Sequence, residues 1–145
     1  MDGKDIDWVD SWTYLGVCLK AHRKFGCCND EKVKSFYRCA KGILRIKGRS
    51  NETVMLQLLD THCLSILTYA IEVISVANRD EWRRLRVAYN SLFRRVFDYR
   101  TWESVTELQH ALQRSAWEEL VDKRRATFQK RISQSGLLSH ISPQS

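Results

Sequence analysis

The sequence has few residues that interrupt regular structure, since its 145 residues include one proline and six glycines. This composition leaves little room for a long linker and favours a domain rich in regular elements. No window of about 18 consecutive apolar residues is present to span a membrane, and no basic-then-apolar leader opens the chain. We therefore expect a soluble intracellular protein, in the nucleus or the cytoplasm, with no membrane partner.

The cysteines lack the even number and the repeated spacing of a disulfide framework. Five cysteines of irregular spacing suit reduced thiols, and we predict no disulfide. Four potential metal ligands lie close together in the sequence: Cys18, His22, Cys27 and Cys28. A zinc site is the weaker interpretation, because structural sites usually pair ligands two residues apart and no second such pair is present.

The sequence also lacks the patterns that serve phosphate or acyl chemistry. It has no glycine-rich phosphate loop and no Gly-x-Ser-x-Gly elbow. Two-metal nucleotidyl transfer needs carboxylates that converge from neighbouring strands. The adjacent acidic pairs instead fall at predicted helix starts, at 30–31, 80–81 and 118–119. We expect this chain to contain no catalytic residue, no metal and no cofactor.

The sequence carries an excess of positive charge. Its 24 lysines and arginines outnumber its 17 acidic residues and give a net charge of +7. The acidic residues gather at predicted helix starts, whereas the basic residues run along helix faces. This segregation favours a nucleic-acid partner over charge that serves solubility alone. Hydrophobic residues make up 43% of the chain, which is enough for a core at this length.

The segment WVDSWTYLGVCLK, residues 8–20, alternates like a β-strand, with Trp12, Tyr14 and Gly16 on one face. A strand needs a partner, so we predict a short hairpin in which residues 4–9 pair with it across a turn at Asp10 and Ser11. Gly16 then marks either a bulge or a place where a ligand backbone comes close. A polar loop, KAHRKFGCC, follows the strand.

The next segment predicts a helix over about 30–47, which begins at the ND pair. Its apolar stripe consists of Val33, Phe36, Tyr37, Ala40, Ile43 and Leu44. Four cations line up on another side of the helix: Lys34, Arg38, Lys41 and Arg45. Gly42 costs about 1 kcal/mol relative to alanine in mid-helix, which indicates either close packing or the close approach of a ligand.

Further helices are predicted downstream. A helix over about 52–77, capped by GRSNE, is apolar around nearly its whole circumference and should be the buried centre. Asn78 and Glu81 form a capping-box pattern for a third helix. Its core face contains Trp82, Leu85, Tyr89, Leu92, Phe93 and Val96, and another face contains Arg83, Arg86, Asn90 and Arg94. A short helix around 102–112 precedes a basic helix to about 133, opened by a second capping box, SAWE. The predicted fold class is mostly α, with a short N-terminal β-hairpin followed by a bundle of about four to five helices.

Three segments resemble one protein family, in matching order and spacing. WTYLGV at 12–17 is similar to the Tyr-Leu-Gly strand that follows the palm in reverse transcriptases of non-LTR (LINE-type) retrotransposons. LSILTYAIEV at 64–73 resembles the family's Pro-x-Leu-x-Tyr-Gly-x-Glu segment, and RRLRVAYNSLFRRVF at 83–97 resembles the Leu-x-Val-Ala-Tyr-Asn helix of CR1-like elements. This sequence has Ser65 where the family usually has Pro, Ala70 where it has Gly, and Ile74 where Trp is common.

The resemblance implies a reverse-transcriptase thumb and the region beyond it, without the catalytic palm. The implied parts are a primer-grip-like hairpin at 1–20, a helical thumb-like domain at 21–100, a C-terminal helical extension at 101–134 and a flexible tail at 135–145. The implied partners are an RNA template, an RNA–DNA or DNA primer duplex, and the upstream palm and fingers of the same polyprotein. Mg²⁺ is implied only for that missing palm.

The resemblance also implies nucleic-acid-binding roles for particular residues. The primer-grip role falls on Trp12, Tyr14, Leu15 and Gly16, and the grip on the template–primer duplex falls on Lys34, Arg38, Lys41 and Arg45. A thumb that holds phosphates needs lysines and arginines on a rigid helix face, as the second set is spaced. The alternative function is a domesticated helical module that binds a protein and has no nucleic-acid role.

Overall fold

The computed structural model describes residues 7–21, 26–72 and 79–136, which form a three-stranded antiparallel sheet followed by five helices. The predicted mostly α fold with an N-terminal hairpin is confirmed. Predictions that involve residues 4–6, His22, Ile74, Asn78 or the tail beyond Gly136 fall outside the described residues.

The sheet consists of β1 (Ser11–Tyr14), β2 (Val17–Lys20) and β3 (Gly26–Cys28), in that order. The predicted turn at Asp10 and Ser11 is wrong, because Ser11 pairs with Lys20 and the chain reverses at Leu15 and Gly16. Both turn residues have positive φ, 47° and 77°, as a two-residue hairpin turn of this kind requires. The predicted single strand is therefore two strands, and part of the predicted polar loop is β3.

The helices are α1 (Asp30–Leu44), α2 (Glu52–Leu58, continued by a π-helical stretch at Leu59–Leu64 and by Ser65–Thr68), α3 (Arg79–Val96), α4 (Val105–Ala111) and α5 (Trp117–Gln134). Asn51 caps α2 as predicted, since its Oδ1 accepts a hydrogen bond from the backbone N of Thr53 at 2.9 Å. The predicted capping box of α5 is wrong, because Ala116 occupies the cap position. Ser115 Oγ instead accepts a hydrogen bond from Lys123 Nζ at 3.0 Å.

The helices of the described residues share one hydrophobic core. The predicted apolar faces of α1 and α3 point into it, and α4 and α5 add Val105, Leu108, Trp117 and Val121. The prediction that α2 is buried around its circumference is wrong. Leu59, Cys63 and Leu67 are fully buried, whereas Val54 is 48% exposed, because the other helices cover only one side of α2.

α1 and α3 lie side by side and run in the same direction. Near their starts, Arg84 forms an ion pair with Asp30. Two turns further along both helices, Ser91 Oγ donates a hydrogen bond to Tyr37 Oη at 3.4 Å. One turn beyond Ser91, the Arg95 guanidinium stacks over the Tyr37 ring at 5.4 Å from its centroid. Since the contacts occur in the same order along both helices, their N-termini lie at one end of the molecule.

Candidate nucleic-acid interface

The four predicted cations of α1 lie along one exposed face of the helix. Lys34, Arg38, Lys41 and Arg45 are all solvent-exposed, and we call them the basic row of α1. Lys34 Nζ contacts a carboxylate oxygen of Glu31 at 2.7 Å, and this hydrogen bond raises the pKa of Lys34. Among the described residues, no acidic side chain forms an ion pair with the other three. The basic row is therefore available to an external anion.

The hairpin presents apolar side chains to solvent. Trp12 is 65% exposed, Tyr14 56% and Leu15 72%, and the rings of Trp12 and Tyr14 lie 5.9 Å apart on one face of β1. All four residues of β1 are exposed. A cluster of exposed aromatic and aliphatic side chains on an edge strand is typical of a surface that contacts another molecule.

Tyr69, a residue to which the sequence assigned no role, holds the hairpin against the helices. Its Oη donates a hydrogen bond to the carbonyl oxygen of Leu15 at 2.8 Å. Lys32 Nζ in turn donates to the Tyr69 carbonyl oxygen at 2.7 Å, and burial lowers the pKa of Lys32. No periodic pattern marks Tyr69, because it follows the last turn of α2.

Gly16 occupies the hairpin turn rather than a bulge, so the predicted bulge is wrong. Its φ of 77° favours glycine, and a β-carbon at this position would lie 3.4 Å from Cε1 of Tyr69. The requirement for glycine is thus explained within the chain. A close approach of primer to Gly16 remains a prediction.

Lys20 of the hairpin and Lys34 of the basic row of α1 line a common cleft of about 850 Å³ at the N-terminal ends of α1 and α3. Its cations are Lys20, Lys34, Arg83 and Arg84, and its acidic residues are Asp30, Asp80 and Glu81. Lys20 comes from β2 and Arg83 from α3. The sequence analysis did not predict that these two residues lie near Lys34. The three residues belong to three separate elements, and no local spacing in the sequence relates them.

Gly42 is exposed in the last turn of α1, which ends at Leu44 and not at the predicted residue 47. A β-carbon built at this position would meet nothing within 4 Å, so the predicted close packing is wrong. The other prediction, that a ligand approaches the helix backbone here, stays a prediction. Gly42 lies one turn beyond Arg38 and one turn before the end of the basic row.

The cysteines form two neighbouring pairs. Cys18 and Cys28 are cross-strand partners in β2 and β3, and all five cysteines are present as thiols. Burial, together with the adjacent Cys39 thiol, raises the pKa of Cys63, so that this thiol stays protonated at neutral pH. Within residues 7–21, 26–72 and 79–136, no group of three or more His, Cys, Asp or Glu side chains is placed to hold a metal ion.

Comparison of this chain with protein families, with curated proteins and with solved structures finds no match in any of the three. Among the described residues, no helix combines the length and the apolar character needed to cross a membrane.

Proposed function

We propose that this chain binds the template–primer duplex of a retroelement reverse transcriptase and positions the primer end. In this function it supports RNA-directed DNA synthesis by a palm that is not in the chain. The observation that carries the proposal is the basic row of α1, with three exposed cations on one face of the 15-residue helix and a fourth, Arg45, at its C-cap. Cations at fixed positions on a rigid helix suit the phosphates of a duplex, which fix register without reading bases.

The pairing of Lys34 with Glu31 is compatible with this role. Both side chains are largely exposed, 64% and 81%, and exposed ion pairs contribute little to stability. A phosphate can therefore replace the Glu31 carboxylate as the partner of Lys34 with a small change in the free energy of folding.

The hairpin supports a role at the end of the duplex. It stands where the basic row of α1 begins, since Lys20 of β2 and Lys34 of α1 line the same cleft. The exposed rings of Trp12 and Tyr14 suit stacking against bases or sugars, which is worth roughly 1–3 kcal/mol per base. Leu15 holds a positive φ at the exposed tip, and strained backbone of this kind tends to occur at functional sites.

The backbone at Ala70 supports the resemblance to LINE-type reverse transcriptases. Ala70 has a φ of 55°, in the left-handed region that favours glycine. Glycine is the residue that these enzymes usually have at the corresponding position of their Tyr-Gly segment. A chain that exchanged glycine for alanine late in its history would retain such a backbone.

A second candidate function, a protein-interaction module, is favoured by one observation. Trp8 and Val9, which precede β1 at the end of the hairpin away from its tip, are also exposed, in addition to Trp12, Tyr14 and Leu15. Several exposed apolar side chains of this kind are common at protein–protein interfaces. If the chain has this function, it binds a partner protein, and the affinity for that protein does not depend on the basic row of α1.

The test is titration of a short labelled RNA–DNA hybrid duplex with the chain, followed by fluorescence anisotropy at several salt concentrations. With three or four phosphate contacts, the logarithm of the affinity should fall with the logarithm of the salt concentration at a slope of about −3. Changing all four residues of the basic row of α1 to Gln should remove this binding and leave the helical circular dichroism unchanged.

The matched control changes four cations of α5 to Gln, Lys123, Arg124, Lys130 and Arg131, for the same loss of charge. It should bind the duplex as the parent does. Undiminished binding by the α1 variant, or no binding by the parent, contradicts the proposal and favours the protein-interaction module.

A further inference from the structure

We infer that α3 supplies a second row of phosphate contacts, so that the two strands of a duplex are held by two parallel helices. The residues are Arg83, Arg94 and Arg95, which we call the basic row of α3. The inference rests on the proposed function, and it adds both a set of residues and a preference for duplex over single-stranded nucleic acid.

Two residues on the polar face of α3 are bonded to neighbouring helices. Arg86 Nη1 donates to a Glu118 carboxylate oxygen at 3.2 Å, and Asn90 Oδ1 accepts from Gln109 Nε2 at 3.1 Å. These two residues are therefore used to bind α5 and α4. Arg83, on the same polar face near the start of α3, lies in the cleft shared with Lys34, and within the described parts of the chain no acidic side chain forms an ion pair with it.

α1 and α3 border a second groove at their C-terminal ends. It has a volume of about 630 Å³, with Leu44 on the α1 side and Arg94 and Arg95 on the α3 side. Arg94 Nε is buried and has no hydrogen-bond partner among the described residues, so the guanidinium retains unused donor capacity. Arg95 is exposed, and its stacking on Tyr37 fixes the guanidinium beside α1.

Two other charges near this surface are already engaged. Arg84 pairs with Asp30 across the two helices, so it is not counted in the basic row of α3. Lys47 Nζ contacts an Asp98 carboxylate oxygen at 2.6 Å and donates to the carbonyl oxygen of Arg95 at 2.7 Å. Among the described cations of this surface, Lys20 of β2 and the residues of the two rows other than Lys34 form no ion pair with a carboxylate.

The separation of the rows suits the two strands of a duplex. Packed helices have axes about 8–10 Å apart, and an A-form-like RNA–DNA hybrid has a wide, shallow minor groove bordered by the phosphates of both strands. Cations on adjacent parallel helices can therefore contact phosphates on both sides of one groove. A single strand can occupy only one row at a time.

The experiment uses the full 145-residue chain with two labelled probes, an RNA–DNA hybrid duplex and the RNA strand alone. The test variant combines Arg83→Gln with Arg95→Gln, and Arg94 is kept because its side chain is half-buried. The control combines Lys130→Gln with Arg131→Gln on α5, which removes the same charge. Fluorescence anisotropy gives affinities over a range of salt, and circular dichroism checks the helix content.

The parent should bind the duplex about tenfold more tightly than the single strand. With both rows engaged, the parental salt slope should be about −5, of which the basic row of α1 accounts for about −3. In the test variant, duplex affinity should fall about tenfold and the salt slope should become shallower by about 2. Its single-strand affinity and the duplex affinity of the control should stay at the parental values. The preference for duplex should therefore disappear only in the test variant.

Three results would overturn the inference. If the test variant binds the duplex as tightly as the parent while the α1 variant loses binding, α3 supplies no second row of contacts. The proposed function is still supported in that case. An equal loss in the α5 control shows that net charge, not the groove, determines affinity. A parent that binds no duplex overturns the inference and the proposed function together.

Discussion

Where the hairpin meets the helices, two residues other than glycine adopt the left-handed backbone conformation. Leu15 has a φ of 47° at the hairpin tip, and Ala70 has a φ of 55° just after α2. Tyr69 joins these two turns, since it precedes Ala70 and its Oη bonds to the Leu15 carbonyl. The left-handed conformation costs about 1–2 kcal/mol for such residues, so each turn stores a small strain that glycine would release.

Ala70→Gly should therefore stabilise the protein. The relief of strain exceeds the greater freedom that glycine gives the unfolded chain, so we expect the free energy of unfolding to rise by about 0.5–1 kcal/mol. Urea denaturation followed by circular dichroism measures this change. The matched control, Ala126→Gly on the exposed side of α5, should lower the free energy of unfolding by about 1 kcal/mol. A loss of stability in both variants would contradict the argument.

Tyr89 should make the protein less stable at alkaline pH. The side chain is 3% exposed, its Oη donates to the Ser115 carbonyl oxygen at 2.9 Å, and burial raises its pKa to about 12. In the unfolded chain the pKa is about 10. The stabilisation is complete below pH 10 and is lost as the pH rises towards 12, because only the unfolded state gives up its proton in that interval.

Tyr89→Phe tests this dependence. Near neutral pH the variant should be less stable by about 1 kcal/mol, the usual contribution of one hydrogen bond. The difference between parent and variant should shrink as the pH is raised above 10, since phenylalanine does not ionise. Urea denaturation at a series of pH values gives the difference, and a constant difference up to pH 11 would show that Tyr89 is not responsible.

At the scale of elements, α1 combines a buried apolar side with an exposed basic side. Gly42 lowers the stability of this helix, and no neighbouring atom requires a glycine there. Gly42→Ala should raise the free energy of unfolding by about 1 kcal/mol, because helix propensity improves and the new methyl group meets nothing within 4 Å. If a duplex approaches the backbone at this point, the same change should also weaken duplex binding.

Gly48→Ala is the matched control for Gly42→Ala. It also places a methyl group in open space, but Gly48 has a φ of 88°, where alanine is strained. Its stability should fall while that of Gly42→Ala rises, as measured by urea denaturation of both. Destabilisation by Gly42→Ala would reveal a role of Gly42 in the fold.

The helices with clear periodicity could be predicted from the sequence, and the turns could not. The apolar faces of α1 and α3 follow from a 3.6-residue repeat, which tertiary packing only reinforces. The reversal at Leu15 and Gly16 could not be predicted, because leucine is an unusual residue at a position with positive φ. The predicted end of α2, at about residue 77, is too late, because apolar residues continue in the sequence past Thr68 and the turn at Ala70.

At the scale of the whole molecule, the candidate site could be predicted only in part. The basic row of α1 follows from the spacing of residues on one helix. Its juxtaposition with α3 depends on contacts such as Asp30 with Arg84 and Tyr37 with Ser91, each between residues 54 positions apart. No local pattern encodes such a contact, so the groove between the helices appears only in the folded chain.

The parallel packing of α1 and α3 also gives the groove a direction. Asp30 and Asp80 lie in the first turns of the two helices, at the end beside the hairpin, whereas Arg45 and Arg95 lie at the opposite end. The two ends therefore differ in side-chain charge, and the aligned helix dipoles, positive at the N-termini, offset part of this difference. A nucleic-acid strand likewise has unlike ends, and a primer grows from only one of them. A groove with unlike ends distinguishes the two orientations of a strand, which a groove between antiparallel helices would do less well.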